Sequence, residues 1–359
     1  MNIKQLSLLN YKNFESLDLE FSPAINCLAG ANGIGKTTVL DAIYHLSYGK
    51  GYFNPLSTQN IRHGEELFLV EGSFEKEGQS EKISCGFKKG AKKVLKRNGK
   101  IYERITQHIG LLPVVMISPA DRDLIAEGSD VRRKFIDGNV AQADPVYLES
   151  LLAYQRILGQ RNALLKFFAA NHTFDEENLA IYDEQLHQYG AELFEKRKAF
   201  LEEFTPLFLK QYRVISGEKE SISLAYQSGM HKATLRDLLL ENRAKDRALQ
   251  YTAVGLHKDD LRFEIEGYPI KKFGSQGQQK SFLIALKLAQ FQFLKRHSGT
   301  TPILLLDDVF DKLDEHRVAQ LVELVKGEDY EQIFITDTHP ERTEKIVQAT
   351  GEAYKMLTL

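Results

Sequence analysis

Residues Gly30, Ala31, Asn32, Gly33, Ile34, Gly35, Lys36 and Thr37 fit the pattern G-x-x-x-x-G-K-[ST], and Thr38 follows them. The chemistry this spacing serves is triphosphate binding. Glycines let the backbone turn tightly and come close to a ligand. Successive N–H groups and a helix N-terminus then converge on one anion. Lys36 adds a full positive charge for the β- and γ-phosphates, and the Thr37 hydroxyl is placed for Mg²⁺. A second constellation lies far along the chain, where Ile303-Leu304-Leu305-Leu306 ends in Asp307-Asp308. A buried strand delivers its carboxyl end to the ligand crevice of an α/β sheet. Asp307 is therefore expected to hold Mg²⁺, and Asp308 to orient or deprotonate a water beside the γ-phosphate. A third run, Gly274-Ser275-Gln276-Gly277-Gln278-Gln279-Lys280, places a serine and a glycine at the start of a helical stretch. That offers either a second anion-binding surface or an ordinary polar helix cap.

The elements around these residues must position them. Ala24 to Ala29 reads as a short apolar strand and Thr37 to Leu46 as a helix, so the glycine loop lies between strand and helix. Before it, Leu17, Leu19 and Phe21 alternate with polar residues, a strand period of two. Residues 67 to 103 read as antiparallel strands with bends at Gly78, Gly90 and Asn98-Gly99. Leu112 to Ile117 is a further buried strand. From about 145 to 252 the pattern turns helical. Leu186, Tyr189, Leu193, Phe200 and Phe204 recur at helical spacing, which predicts a pair of long antiparallel helices. Strand and helix patterns then return: a strand near Leu261 to Ile265, a helix over about 277–295, the Ile303 to Leu306 strand and a helix over about 315–325. Strands at Gln332 to Thr336 and Tyr354 to Leu357 complete the chain. The expected fold is α/β, with one nucleotide-binding domain built from 1–144 and 253–359 and a helical insertion over 145–252.

Composition agrees with that size. The chain has 359 residues, where a domain takes about 150, so one large or two coupled domains are expected. Lys and Arg number 47 against 49 Asp and Glu, for a net charge of −2, with 43% hydrophobic and 27% charged residues. These values argue against disorder, a collagenous chain or a small basic DNA-binding domain. Two cysteines, Cys27 and Cys85, have no CxxC partner, so neither a zinc site nor a disulfide framework is expected. The first residues show no secretory core, and the longest uncharged apolar stretch, near Leu111 to Ile117, falls far short of the roughly 20 residues of a membrane span. A cytoplasmic protein is expected. Local basic excess does exist. Lys88, Lys89, Lys92, Lys93, Lys96, Arg97 and Lys100 lie close together with no acid among them, and Arg132, Arg133 and Lys134 form a smaller cluster. Each reads as a phosphate-contacting patch or as a solvated face.

The order of these motifs resembles the ATP-binding heads of ABC-type and SMC-type ATPases and, among them, the RecF family of bacterial recombination and repair proteins. The resemblance covers almost the whole chain. It rests on Leu9-Asn10-Tyr11-Lys12-Asn13-Phe14, the glycine loop, Ser118-Pro119-Ala120-Asp121, Arg132-Arg133-Lys134-Phe135-Ile136-Asp137 and Gly255-Leu256-His257-Lys258-Asp259-Asp260-Leu261, then Ser275-Gln276-Gly277-Gln278 and the Leu304 to Asp314 stretch. It implies an ABC-type P-loop ATPase head with an antiparallel β portion and a helical insertion. It implies ATP and Mg²⁺ as cofactors and a weak, DNA-stimulated ATPase. Residues 275–278 occupy the signature slot, which in this class reaches the γ-phosphate held by a second subunit, so an ATP-dependent homodimer is implied. Asp314 falls in the loop along the dimer interface, Lys12 and Asn13 near the nucleotide, and Ser118 to Asp121 nearest the Q-loop slot. His339 is the candidate switch histidine. The implied role is ATP-dependent binding to gapped or junction DNA without sequence preference, in recombinational repair and replication restart, promoting RecA loading with RecO and RecR. The alternative is the nucleotide-binding subunit of a membrane transporter, which predicts a shorter insertion and a glycine-rich signature. A tether with a long coiled coil does not fit in the stretch between Lys36 and Ser275, and a small-molecule kinase would not require the signature run.

Overall fold

The computed structural model describes residues 1–217, 220–309 and 330–359. It divides into two compact units: Met1–Arg122, Lys210–Lys219 and Ser275–Leu359 in the first, Asp123–Leu209 and Glu220–Gly274 in the second.

Two sheets build the first unit. The strands β3 (Ile25–Ala29), β8 (Val114–Ile117), β12 (Ile303–Asp307), β13 (Ile333–Asp337) and β14 (Tyr354–Leu357) form a parallel sheet in the order β14-β3-β13-β12-β8. β8, β12 and β13 are buried at every position, as strands covered on both faces must be. Their register sets the site. Leu306 pairs with Ile117, and Asp307 with Thr336, so Asp307 and Asp308 emerge at the carboxyl end of β12, beside the ends of β8 and β13. The second sheet is antiparallel. It consists of β1 (Asn2–Tyr11), β2 (Phe14–Glu20), β4 (Leu67–Lys76), β5 (Gln79–Lys88), β6 (Val94–Arg97) and β7 (Lys100–Ile101), in the order β2-β1-β4-β5-β6-β7. Its inner residues, including Ile3, Leu6, Phe68, Val70 and Ile83, share one apolar core with Val39, Leu40 and Ile43 of helix α1 (Lys36–Tyr48). The expected sheet with crossovers and the antiparallel portion are both present.

The second unit carries the long helices α3 (Pro145–Asn171) and α4 (Glu176–Ser216), of which α4 runs on into the residues grouped with the first unit. Ser150 bonds Glu192 while Arg161 bonds Asp183, so partners descend along α4 as they climb α3 and the pair is antiparallel. The unit is not purely helical, and it begins before residue 145 and ends after 252. Helix α2 (Ser129–Ala143) packs on α3. A three-stranded sheet joins β9 (Ile222–Gln227), β10 (Asp260–Ile265) and β11 (Tyr268–Pro269), with β10 in the middle. The reason is electrostatic as well as apolar. Arg132 on α2 grips Asp260 with two hydrogen bonds of 2.6 and 3.0 Å, and Arg197 on α4 bonds both Asp137 and Asp259.

Arg161 is fully buried and bonds Asp183 at 2.6 Å, Asp246 at 2.7 Å and Thr252 at 2.8 Å. Truncation would leave the buried Asp246 without its cation and Asp183 with only the longer pair to Arg243 at 3.6 Å. Arg161→Ala is therefore expected to cost about 3–5 kcal/mol in chemical denaturation. An unchanged midpoint would contradict this role.

Candidate functional site

The glycine loop runs from the end of β3 into α1. Gly30 N–H donates to the Asp337 carbonyl at 3.2 Å, tying the loop to the neighbouring strand end. Gly35 caps α1 at φ 111°, a left-handed conformation, and a Cβ there would stand 2.3 Å from the Phe14 ring and 2.7 Å from Asn13. Only glycine fits both the backbone angle and the space. The turn between β1 and β2 thus presses on the loop from outside. Asn13 fixes it further: its oxygen accepts from Thr38 at 2.8 Å, and its amide reaches the Ile34 carbonyl at 3.5 Å.

Lys36 is buried, and its ammonium donates to the carbonyls of Gly30 and Ala31 at 2.7 and 2.8 Å. Thr37 donates to Asp307 at 2.8 Å, and Thr336 donates to the same oxygen at 2.9 Å. Burial pushes the Asp307 carboxyl up; the two hydroxyl donors oppose this, and the neighbouring Asp308 charge adds to it. Asp308 sits at φ 47°, rarely adopted by a side-chain-bearing residue, and its N–H donates to Thr336 at 3.0 Å. A cavity of about 360 Å³ opens here, lined by Lys12, Asn32, Gly33, Lys36, Thr37 and Asp308, with Asn13, Gly35 and Thr38. Lys12 is held at its edge by an ion pair with the fully buried Asp41 of α1. Thr336 and Asp41 escaped sequence reasoning. A signal for Thr336 existed: the apolar run Ile333-Phe334-Ile335 ends in Thr336-Asp337 as its neighbour ends in Asp307-Asp308.

The signature run opens helix α5 (Gln276–His297). Ser275 caps it. Its hydroxyl accepts from Gln278 N–H at 3.2 Å, while the Gln278 side chain accepts from Ser275 N–H at 2.7 Å, a reciprocal capping box. Ser275 and Gln276 do not line the glycine-loop cavity; both are exposed. Gln276 instead lines a second cavity of about 530 Å³, with Ser118, Arg122 and both aspartates.

Other expected residues fall elsewhere. His339 is 70% exposed and precedes helix α6 (Pro340–Gln348); its ring faces Thr338 at 2.9 Å. Nearby Asp337 is the anchored group: burial opposes its charge, but Arg342 and Thr343 hold the carboxyl below its usual range. Asp314 and the helix expected over 315–325 lie outside the described residues. The basic run is thinner than its count suggests. Arg97 is spent on Glu81 in two bonds of 2.9 and 2.5 Å, Lys89 on Glu66 at 2.9 Å, and Lys93 on the Gly49 carbonyl at 2.5 Å. Lys88, Lys92, Lys96 and Lys100 are exposed without ion pairs among the described residues. In the smaller cluster, Arg132 and Arg133 are tied to Asp260 and the Asp259 carbonyl, so only Lys134 faces solvent, beside Asp130. No group of three or more His, Cys, Asp or Glu could hold a metal ion, and no helix is long and apolar enough to cross a membrane, among the described residues.

Comparison with known proteins gives a consistent answer. The family described as the RecF/RecN/SMC N terminal domain matches residues 2–356. A DNA replication and repair protein RecF from Flavobacterium johnsoniae is 60% identical, with all of both chains covered. One from Phocaeicola vulgatus is 49% identical over 100% of this chain and 96% of that protein. Among solved structures, the recombination mediator protein RecF-ATPrS in the RecFOR pathway superposes with a TM-score of 0.87 at 30% identity, covering 100% of this chain and 96% of that one. An SMC head bound to the C-winged helix domain of ScpA matches at a TM-score of 0.59 and 15% identity, covering 99% of this chain and 94% of that one, a likeness of fold alone. A glycine loop and an acidic strand end on an ABC-type ATPase head, with full-length relatives of one kind, leave one assignment: the chain belongs to the RecF family of DNA replication and repair proteins.

Proposed function

We propose that this protein binds ATP with Mg²⁺ at the glycine loop, closes head to tail with a second copy, and in that state holds gapped or junction DNA. The carrying observation is a site with one side open. Lys36, Thr37, Asp307 and Asp308 converge at one strand-end site, while Ser275 stands capped at the head of another helix, outside that cavity. Lys36 is expected to exchange its two carbonyl acceptors for the β- and γ-phosphates. The oxygen donors of Thr37 and Asp307 suit Mg²⁺, which takes hard oxygen ligands from few protein groups and keeps waters and phosphate oxygens for the rest. The ion would neutralise phosphate charge there. Asp308 would orient the attacking water, and Ser275 with Gly277 and Gln278 would cover the γ-phosphate of the second copy. Two such composite sites give ATP leverage over the closed state, since a ligand shifts an equilibrium by its differential affinity. A slow, DNA-stimulated hydrolysis would reopen the pair. RecO and RecR, and the loading of RecA, belong to the same proposal, supported by the RecFOR pathway of the structural relative.

The test is retention of a gapped duplex with and without ATP. Tighter binding with ATP supports the proposal; equal binding contradicts it. The exposed lysines supply a sharper expectation. Lys92→Glu, Lys96→Glu and Lys100→Glu together should weaken DNA binding and flatten its salt dependence, by about 0.9 in log–log slope for each phosphate no longer neutralised. An unchanged slope would make this sheet edge a solvated face.

A further inference from the structure

One chain of buried polar contacts in the first unit leads away from the nucleotide cavity. It begins at Lys12 on the cavity edge and passes to Asp41. The other oxygen of Asp41 accepts the Tyr52 N–H at 2.5 Å. The Tyr52 hydroxyl donates to Asp121, a buried residue of the turn that follows β8. Asp121 also accepts the Ser118 N–H at 2.8 Å, and Ser118 continues the strand whose last residue pairs beside Asp307. The Asp121 oxygen that accepts from Tyr52 also faces the Lys287 ammonium at 3.5 Å, and that ammonium lies 5.6 Å from the centre of the Tyr52 ring.

Lys287 is the unusual member. Its side chain is 6% exposed, yet an ammonium with three donors faces one carboxylate at a long distance and one aromatic face. A buried cation so lightly held responds to small movements of its partners, because among the described residues its desolvation is offset by those contacts alone. It also sits on α5, the helix that Ser275 opens, about 18 Å along the axis at 1.5 Å per residue. A helix moves as a rod, so a shift at Lys287 reaches Ser275.

We propose that Tyr52, Asp121 and Lys287 are positioning residues that couple occupancy of the glycine-loop site to the placement of the signature serine on the same protomer. This rests on the reading above, in which that serine serves a second copy. A nucleotide that draws on Lys12 and on the Asp307 strand end disturbs Asp41 and the Ser118–Asp121 turn together. Both converge on Tyr52 and Asp121, and these set Lys287.

The experiment compares wild type with Tyr52→Phe, which removes one hydroxyl and keeps the ring. A second variant, Asp121→Asn with Lys287→Met, removes both charges at once and leaves no unpaired buried ion. ATP affinity is measured on dilute protein, and ATP-driven dimerisation by sedimentation. Expected are ATP dissociation constants close to wild type in both variants, with dimerisation weakened about tenfold, inside the span usual for coupled sites. Dimerisation equal to wild type in both variants overturns the coupling. So does a parallel loss of ATP affinity, the mark of a merely structural role. A wild type that stays single with ATP overturns the underlying reading and this proposal together, whereas a wild type that pairs no more readily than its variants overturns this proposal alone.

Discussion

Lys36→Met is expected to abolish ATP binding and every step that follows from it. The lysine is buried at the base of the loop, and its ammonium already occupies two strong acceptors, the carbonyls of Gly30 and Ala31. Hydrogen bonds to a charged group contribute about 1.5–3 kcal/mol each, so losing two to the phosphates costs about 3–6 kcal/mol, or roughly 10²–10⁴-fold in affinity. Methionine keeps the aliphatic stem and removes the charge, so the loop should still fold around it. Calorimetric titration with ATP reads the effect. A dissociation constant within about threefold of wild type, under 1 kcal/mol, would contradict the assignment of the loop.

Asp308→Asn should separate binding from turnover. Asparagine tolerates the left-handed backbone that Asp308 adopts at φ 47°, and its N–H can keep the bond to Thr336. What it loses is the carboxylate beside the cavity. Removing a positioned general base typically costs about 10²–10⁴-fold in rate. The variant should bind ATP normally, hydrolyse it at a rate lowered by that order, and accumulate as the nucleotide-bound pair. Phosphate release at the wild-type rate would remove Asp308 from the water-orienting role.

The site was legible wherever the ligand itself dictates spacing. A triphosphate requires turns, a lysine and a hydroxyl at fixed offsets, and residues 30–37 show them; the acidic strand end is marked by the apolar run Ile303 to Leu306. Contacts made in space were hidden. Nothing near Arg132 in the chain announces Asp260, and their bidentate pair helps draw α2 into the second unit ahead of residue 145. β9 is six residues long and half-buried, so its period was lost against the helices around it. The basic run shows the same limit from the other side. Counting charges found seven cations, but Glu81, Glu66 and the Gly49 carbonyl had already claimed three. The signature serine could be read as a helix cap or an anion site; it forms a capping box at the start of α5. The transporter alternative lost its footing through the relatives, which match along the full chain and are DNA replication and repair proteins.

The central claim is that the triphosphate cavity is closed by a second copy of the chain. Light scattering of the Asp308→Asn variant with saturating ATP and Mg²⁺ tests it most directly, because slow turnover holds the bound state. A single chain has a mass of 40.9 kDa. The account predicts that mass without nucleotide and twice that mass with it, reverting when Ser275→Arg is added to the same variant. A nucleotide-saturated protein that remains at the mass of one chain would contradict it.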